Sequence, residues 1–415
     1  MSAPGTHSGA QPAYAAAEPE VSARWIEALD RQSMIIMAIF ARAGFEPIAP
    51  PVIQPADVFL DVIGEDLRAR TYVFTDPEGA ELCLRPDLTI PACRLYLQRH
   101  GHDGAPARLA YNGGVFRYQP AGASLARPRE FRQAGIESFA AADPAKAEAE
   151  ILALSVESVR AAGLRAFRVH IGDLGLFNAL LAAVAMPERW RVRLRHYFWQ
   201  PEAFREQLQR LVKPGANGRD LPGPLLRQIT GDGGGAVAAI ERHLDERGLN
   251  AAGTRTLEEI AEHLRGLAQD LQETPLAARS AELIEAYLRI EAPAEAVPGR
   301  IRTLLKGAKI NIEPALEAYE ARLKLAAQEG IDISQAVFSA GFGRAFEYYT
   351  GFVFEILSPI VGDATPICGG GRYDTLVKTI SGAISGSING ERSVAAVGAA
   401  IHTERLLLAV RGGRP

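Results

Sequence analysis

Arg117 and Gln119 stand two residues apart, and Gln133, Gly135 and Glu137 repeat that spacing a short way downstream. In extended chain a spacing of two puts residues on one face. The stretch from Gly114 to Ala140 therefore reads as two antiparallel strands joined by a long arginine-bearing loop. It gathers a guanidinium, two amides and a carboxylate over a small glycine floor. Such a set can recognise a small zwitterion that carries hydrogen-bonding nitrogens. Other polar clusters in the chain fit the same ligand.

The elements that would position these groups are legible in order. Ser22 can cap a helix from Ser22 to Ala43, with Trp25, Ile26, Leu29, Met34, Ile36 and Phe40 as its apolar positions and Gly44 as its stop. Prolines 47, 50, 51 and 55 hold the next segment extended. The run from Thr71 to Thr89 alternates around Asp76-Pro77-Glu78-Gly79, a hairpin with fitting turn chemistry, and a helix follows to His100. Asp143-Pro144 opens another helix, which Gly163 ends before a strand carrying Phe167, Val169 and Ile171. Near Met186 the composition turns helix-rich and charged, and strand patterning returns at Gln335. The chain then reads as residues 1–20 flexible tail, 21–185 and 335–412 core, and 186–334 helix-rich insertion. The fold class is α+β, an antiparallel sheet flanked by helices and discontinuous in sequence. The glycine run Gly231–Gly235 lacks a following Lys-Ser/Thr and reads as a loop.

The chain has 415 residues, 47% apolar and 23% charged, with a formal net charge of −4. That is an ordinary globular composition without a general nucleic-acid footprint. The three cysteines, Cys83, Cys93 and Cys368, lack metal-ligand spacing and imply free thiols in a reducing, cytoplasmic setting. No apolar run approaches the roughly 18 residues of a membrane helix, and the first residues lack the pattern of a signal peptide.

Together these residues resemble the class II aminoacyl-tRNA synthetase core, and specifically its histidyl branch, over roughly residues 44–171 and 337–410. Gly44 to Pro51 is similar to motif 1, and Phe116-Arg117 with the returning strand to motif 2. Arg344–Tyr349 and Gly369–Asp374 resemble the two histidine signature peptides, and Gly398–Arg405 resembles motif 3. The resemblance implies a histidine-binding site of Asp87, Thr89, Arg117, Gln133, Glu137, Arg344, Tyr348 and Tyr349. In it Asp87 and Thr89 hold the amino group, Glu137 and Tyr349 the imidazole, and the two arginines the carboxylate. It also implies a homodimer with Pro51 at the interface.

The nucleotide side departs from the pattern. Gln119 stands where the family has a glutamate, and His402 where it has a glycine, while Arg127, Arg129 and Arg405 are kept. A neutral acceptor is worth about 1 kcal/mol against about 1.5–3 for a charged one, and an imidazole fills space that a glycine leaves open. The chain ends ten residues after Arg405, where the synthetases continue into an anticodon-binding domain. A histidyl core without that domain and with an eroded nucleotide side resembles the regulatory subunits of ATP phosphoribosyltransferase. That resemblance implies no catalytic residue and no cofactor, histidine as effector, and the short catalytic subunit as partner. Neither nucleic acid nor a membrane is expected to be bound. A second reading stays open on Arg117, Arg344 and Arg405, an enzyme that activates histidine or another amino acid with ATP. A third, a tRNA-binding or scaffold protein, leaves the small-molecule residues unexplained.

Overall fold

A computed structural model of the chain describes residues 22–60, 65–101, 104–213, 235–246, 257–342, 348–385 and 393–414. The expected tail at 1–20, most of the 231–235 glycine run and Arg344 lie outside the described residues. The chain divides into two compact units. One comprises Met1–Phe177, Ile290–Arg300 and Glu313–Pro415, the other Asn178–Arg289 and Ile301–Ile312.

The first unit is built on a nine-stranded sheet. Its strands are β1 (Glu46–Ile48), β5 (Ala107–Phe116), β6 (Glu130–Phe139), β7 (Arg168–Asp173), β8 (Glu291–Pro293), β9 (Ala336–Ser339), β10 (Phe352–Leu357), β11 (Cys368–Arg372) and β12 (Ala396–His402). The spatial order is β1-β5-β6-β12-β11-β10-β7-β9-β8. The last three strands of the sequence therefore lie between the central hairpin and β7. β1 pairs parallel with β5 and β7 with β9, and the other pairs are antiparallel. The sheet is thus mixed, and the expected antiparallel arrangement holds for its centre. A second sheet, in the order β2-β4-β3, contains β2 (Ile53–Pro55), β3 (Tyr72–Thr75) and β4 (Glu81–Leu84). At its hairpin the Asp76 carboxylate accepts from the Glu78 and Ala80 amides, each at 2.9 Å.

Ile136, Ala399, Gly370, Phe354 and Ile171 form one row of register partners across the large sheet. Ala149 and Leu152 of the helix Pro144–Ala161, and Leu323 of the helix Glu313–Gln328, share a small apolar cavity with Ile171 and Phe352. These helices cover that face of the sheet. Side chains alternate across a strand, so the face bearing Gln133 and Glu137 is the opposite one.

The helix Ala23–Arg42 is capped by Ser22, whose hydroxyl accepts from the Trp25 amide at 3.3 Å. Its Trp25 and Leu29 pack against Leu407 and Leu408 of the helix Thr403–Val410. Met34 and Ile26, expected among its apolar positions, are exposed. All three cysteines are buried free thiols. Among the described residues no helix is long and apolar enough to cross a membrane.

Residues 313–334, expected within the insertion, belong to the first unit. Glu148 is fully buried and would carry an unpaired charge without partners, which it finds in Arg322 of the helix Glu313–Gln328 and in Arg372. Arg322 also pairs with Asp173. The Tyr319 hydroxyl of the same helix donates to the Ala294 carbonyl at 3.1 Å. These long-range partners have no sequence period to announce them. In the second unit Asp270 collects Arg189 at 2.8 Å, Arg193 at 2.6 Å and the indole of the buried Trp190.

Candidate ligand-binding site

On β6 the spacing of two places Phe131, Gln133, Gly135 and Glu137 on one face. Register brings Tyr111 opposite Gly135 from β5, and Gly398, Ala400 and His402 opposite Glu137, Gly135 and Gln133 from β12. Two glycines make this floor possible. A Cβ on Gly135 would lie 2.6 Å from the Tyr111 ring, and one on Gly398 would lie 1.6 Å from Glu137 Oε2. Tyr111 and Glu137 thus lie across the neighbouring backbones.

Glu137 is fully buried and held by both oxygens. The Tyr111 hydroxyl donates to Oε1 at 2.8 Å and the Tyr373 hydroxyl to Oε2. Burial raises its pKa from 4.5 to about 7, against the hydrogen bonds from Tyr373, Thr89 and Tyr111, which favour the charged form. Thr89 Oγ1 lies 3.5 Å from the Tyr111 hydroxyl. At the start of the helix Thr89–His100, Asp87 Oδ1 accepts from the Ile90 amide at 3.3 Å, and Gln133 Oε1 accepts from the Leu88 amide at 3.1 Å. Tyr348 and Tyr349 are buried with ring centres 4.8 Å apart, and Tyr348 meets the Tyr373 ring edge-on at 5.8 Å.

A narrow cleft with a volume of about 50 Å³ opens above this floor. Its walls include Asp87, Thr89, Arg117, Gln133, Tyr348 and Tyr349, six of the eight residues expected to hold an amino acid. Glu137 lies beneath the wall formed by Tyr373, and Arg344 is outside the described residues. Tyr111, Tyr373 and Phe131 were not anticipated. The period-two spacing from Tyr111 along β5 is the signal that could have found the first, and the Gly369–Asp374 peptide contains the second.

Of the residues expected on a nucleotide side, His402 and Arg405 join the same cleft walls, whereas Gln119, Arg127 and Arg129 do not. The expected strand placement of Arg117 and Gln119 is corrected. β5 ends at Phe116, because the Tyr118 amide turns to the Arg70 carbonyl at 2.8 Å. Arg117 keeps its place at the cleft by donating Nε to the Pro86 carbonyl at 2.7 Å, its guanidinium 5.1 Å from the centre of the Phe131 ring. Gln119 Oε1 accepts from Arg70 at 2.8 Å and its amide nitrogen donates to the Pro128 carbonyl at 2.9 Å. Arg127 reaches the Ala364 carbonyl at 3.3 Å, and Arg129 is buried. Arg405 donates to the Ala126 and Pro366 carbonyls at 2.7 and 2.9 Å. Burial, with Arg117, Arg127 and Arg70 nearby, lowers its pKa to about 9, which leaves it charged at neutral pH. His402 lies flat on Phe131, ring centres 4.0 Å apart and planes 3° from parallel.

The cleft therefore combines acidic and hydroxyl groups, aromatic walls and two guanidiniums. It is formed on a mixed sheet whose hairpin and closing strands meet edge to edge. The model of the histidyl-tRNA synthetase family matches residues 19–274 and 244–406. The fold is that of solved class II synthetase relatives. A Bacillus halodurans ATP phosphoribosyltransferase regulatory subunit/histidyl-tRNA synthetase covers 95% of this chain and 81% of its own, with a TM-score of 0.64 and 22% identity. Histidyl-tRNA synthetase from Nostoc sp. covers 96% and 75%, with a TM-score of 0.57 and 18% identity. Curated relatives narrow the class. The ATP phosphoribosyltransferase regulatory subunit of Brucella anthropi is 34% identical over 368 residues, 88% of this chain and 93% of that protein. That of Mesorhizobium japonicum is 35% identical over 351 residues, 84% and 91% respectively. The chain belongs to the ATP phosphoribosyltransferase regulatory subunits, within the histidyl-tRNA synthetase family.

Proposed function

We propose that this chain assembles with the short catalytic ATP phosphoribosyltransferase in the cytoplasm, leaves catalysis to that partner, and binds histidine in the cleft for activation and feedback inhibition. The observation that carries the reading is the polarity of the cleft. Asp87 and Thr89 offer acceptors for an ammonium, Arg117 a cation for a carboxylate, and Glu137, clamped by Tyr111 and Tyr373, a buried acceptor below the aromatic wall. Arg344 completes the set by family resemblance. Histidine would act by linkage, favouring one arrangement of the assembly over another, with a coupling of about 1–3 kcal/mol. The nucleotide side is vestigial in this reading: His402 covers a face of Phe131, and Gln119 and Arg405 are engaged by the chain itself. No cofactor, nucleic acid or membrane partner is assigned.

The test mixes the purified chain with the short catalytic subunit of the same organism and follows phosphoribosyl-ATP formation with and without histidine. Activity that appears on mixing and falls with histidine is the expected outcome. No complex and no change in rate would overturn the reading. The second reading, histidine activation with ATP, keeps one supporting observation, the presence of Arg117 and Arg405 in one cleft. It requires histidine-dependent pyrophosphate exchange by the unaltered chain. Exchange that appears only after His402→Gly with Gln119→Glu would instead mark a lost nucleotide site.

A further inference from the structure

Among the described residues of the cleft wall, His402 has a side chain whose hydrogen bonding is incomplete. It is 6% exposed. It caps the helix Thr403–Val410 by accepting the Arg405 amide on Nδ1 at 3.4 Å. A backbone amide can only donate, so Nδ1 is an acceptor and the proton of the neutral ring resides on Nε2. The ring is neutral because burial, with the Arg405 and Arg117 guanidiniums beside it, pulls its pKa well below the ordinary histidine value. The Glu404 carboxylate, 3.5 Å from Nδ1, already accepts from the Arg132 amide at 3.0 Å and the Thr403 hydroxyl at 3.1 Å. Nε2 is buried and has no hydrogen-bond partner among the described residues. A buried donor left without an acceptor is costly, and this one belongs to a ring in the wall of a cleft that also carries Arg117, Gln133 and Arg405.

We propose that His402 is a specificity-determining residue of the cleft, its Nε2–H donating to the carboxylate of a bound free amino acid. The proposal rests on the reading of the cleft as an amino-acid site and adds a donor that the synthetase pattern, with glycine at this position, does not supply. The stack on Phe131 holds the ring plane, and the Arg405 amide selects the tautomer. The two contacts hold the ring in the cleft wall that Arg117 and Arg405 also line. A ligand with a free carboxylate satisfies it, and one whose carboxylate is reduced to an alcohol loses the charge-assisted bond.

Isothermal titration of the full-length chain with histidine and with histidinol, which lacks the carboxylate, tests this in the wild type, His402→Phe and His402→Asn. Phenylalanine keeps a ring for the Phe131 stack, and asparagine keeps a helix-capping acceptor. Neither places a donor where Nε2 stands. The expected result is a loss of histidine affinity of about tenfold or more in both variants, the scale of a hydrogen bond to a charged group. Histidinol affinity is expected to stay within about twofold of the wild type. Unchanged histidine affinity in the variants, or equal losses for histidine and histidinol, would overturn the role of His402 while leaving the cleft an amino-acid site. A wild type that binds neither compound would overturn the amino-acid reading and the proposal with it.

Discussion

Glu137 concentrates the energetic tension of the cleft in one side chain. This carboxylate has no exposure, and burial outweighs the hydroxyl donors that favour its charge, raising its pKa to about 7. The native state therefore binds the proton more tightly than the unfolded chain does. The stabilisation this gives is complete below about pH 4.5 and lost as pH rises through about 7. Replacing Glu137 by Gln removes the titration. Unfolding free energy measured by urea between these pH values is expected to fall less with pH in Glu137→Gln than in the wild type, by up to about 3 kcal/mol over the range. Equal slopes would mean that Glu137 is not titrating there. Glu404, also raised by burial to about 7, is present in both proteins and cancels in the comparison.

At the scale of elements, the floor depends on how closely β6 and β12 approach. Gly398→Ala would drive a methyl into Glu137 Oε2 and to within 2.6 Å of the Ile136 carbonyl. Overpacking of this kind costs about 1–3 kcal/mol. In the Glu137→Ala background part of that cost is expected to disappear, a non-additivity that a double-mutant denaturation cycle reads directly. Strict additivity would show that the backbone contact alone sets the penalty. The helix Glu313–Gln328 is tied to the sheet's covered face by Arg322, which pairs with Glu148 and Asp173. Arg322→Met leaves those carboxylates with less compensation, and breaking a buried pair in this way costs about 3–5 kcal/mol. A loss in chemical denaturation below about 1 kcal/mol would argue that Arg372 suffices for Glu148.

For the whole molecule, the homodimer that the resemblance implies through the segment around Pro51 can be tested at exposed apolar side chains of the small sheet. Ile53 is 51% exposed, and Val73 and Phe74 on β3 are also open. Ile53→Glu is expected to shift the chain to monomer in sedimentation equilibrium while leaving its circular dichroism unchanged. A dimer of undiminished stability would place the interface elsewhere. If histidine regulates through quaternary structure, the monomeric variant should also lose histidine inhibition when mixed with the catalytic partner.

Much of this protein is legible in its sequence because the signals are local. Period-two alternation named Gln133, Gly135 and Glu137 as one face, Asp76 with Gly79 named a turn, Ser22 named a cap, and ordered peptides named the synthetase core. The tertiary structure decided what depends on partners far away in sequence. Arg70 ends β5 early and engages Gln119, so two residues read as strand became loop. Tyr373 reaches Glu137 from just past β11, which no spacing places near β6, to join Tyr111 from the neighbouring β5. Glu148 draws the helix Glu313–Gln328 out of the expected insertion and into the first unit. Local periodicity follows from backbone geometry within a few residues, whereas pairing of buried polar groups follows from sheet order, which only the folded chain sets.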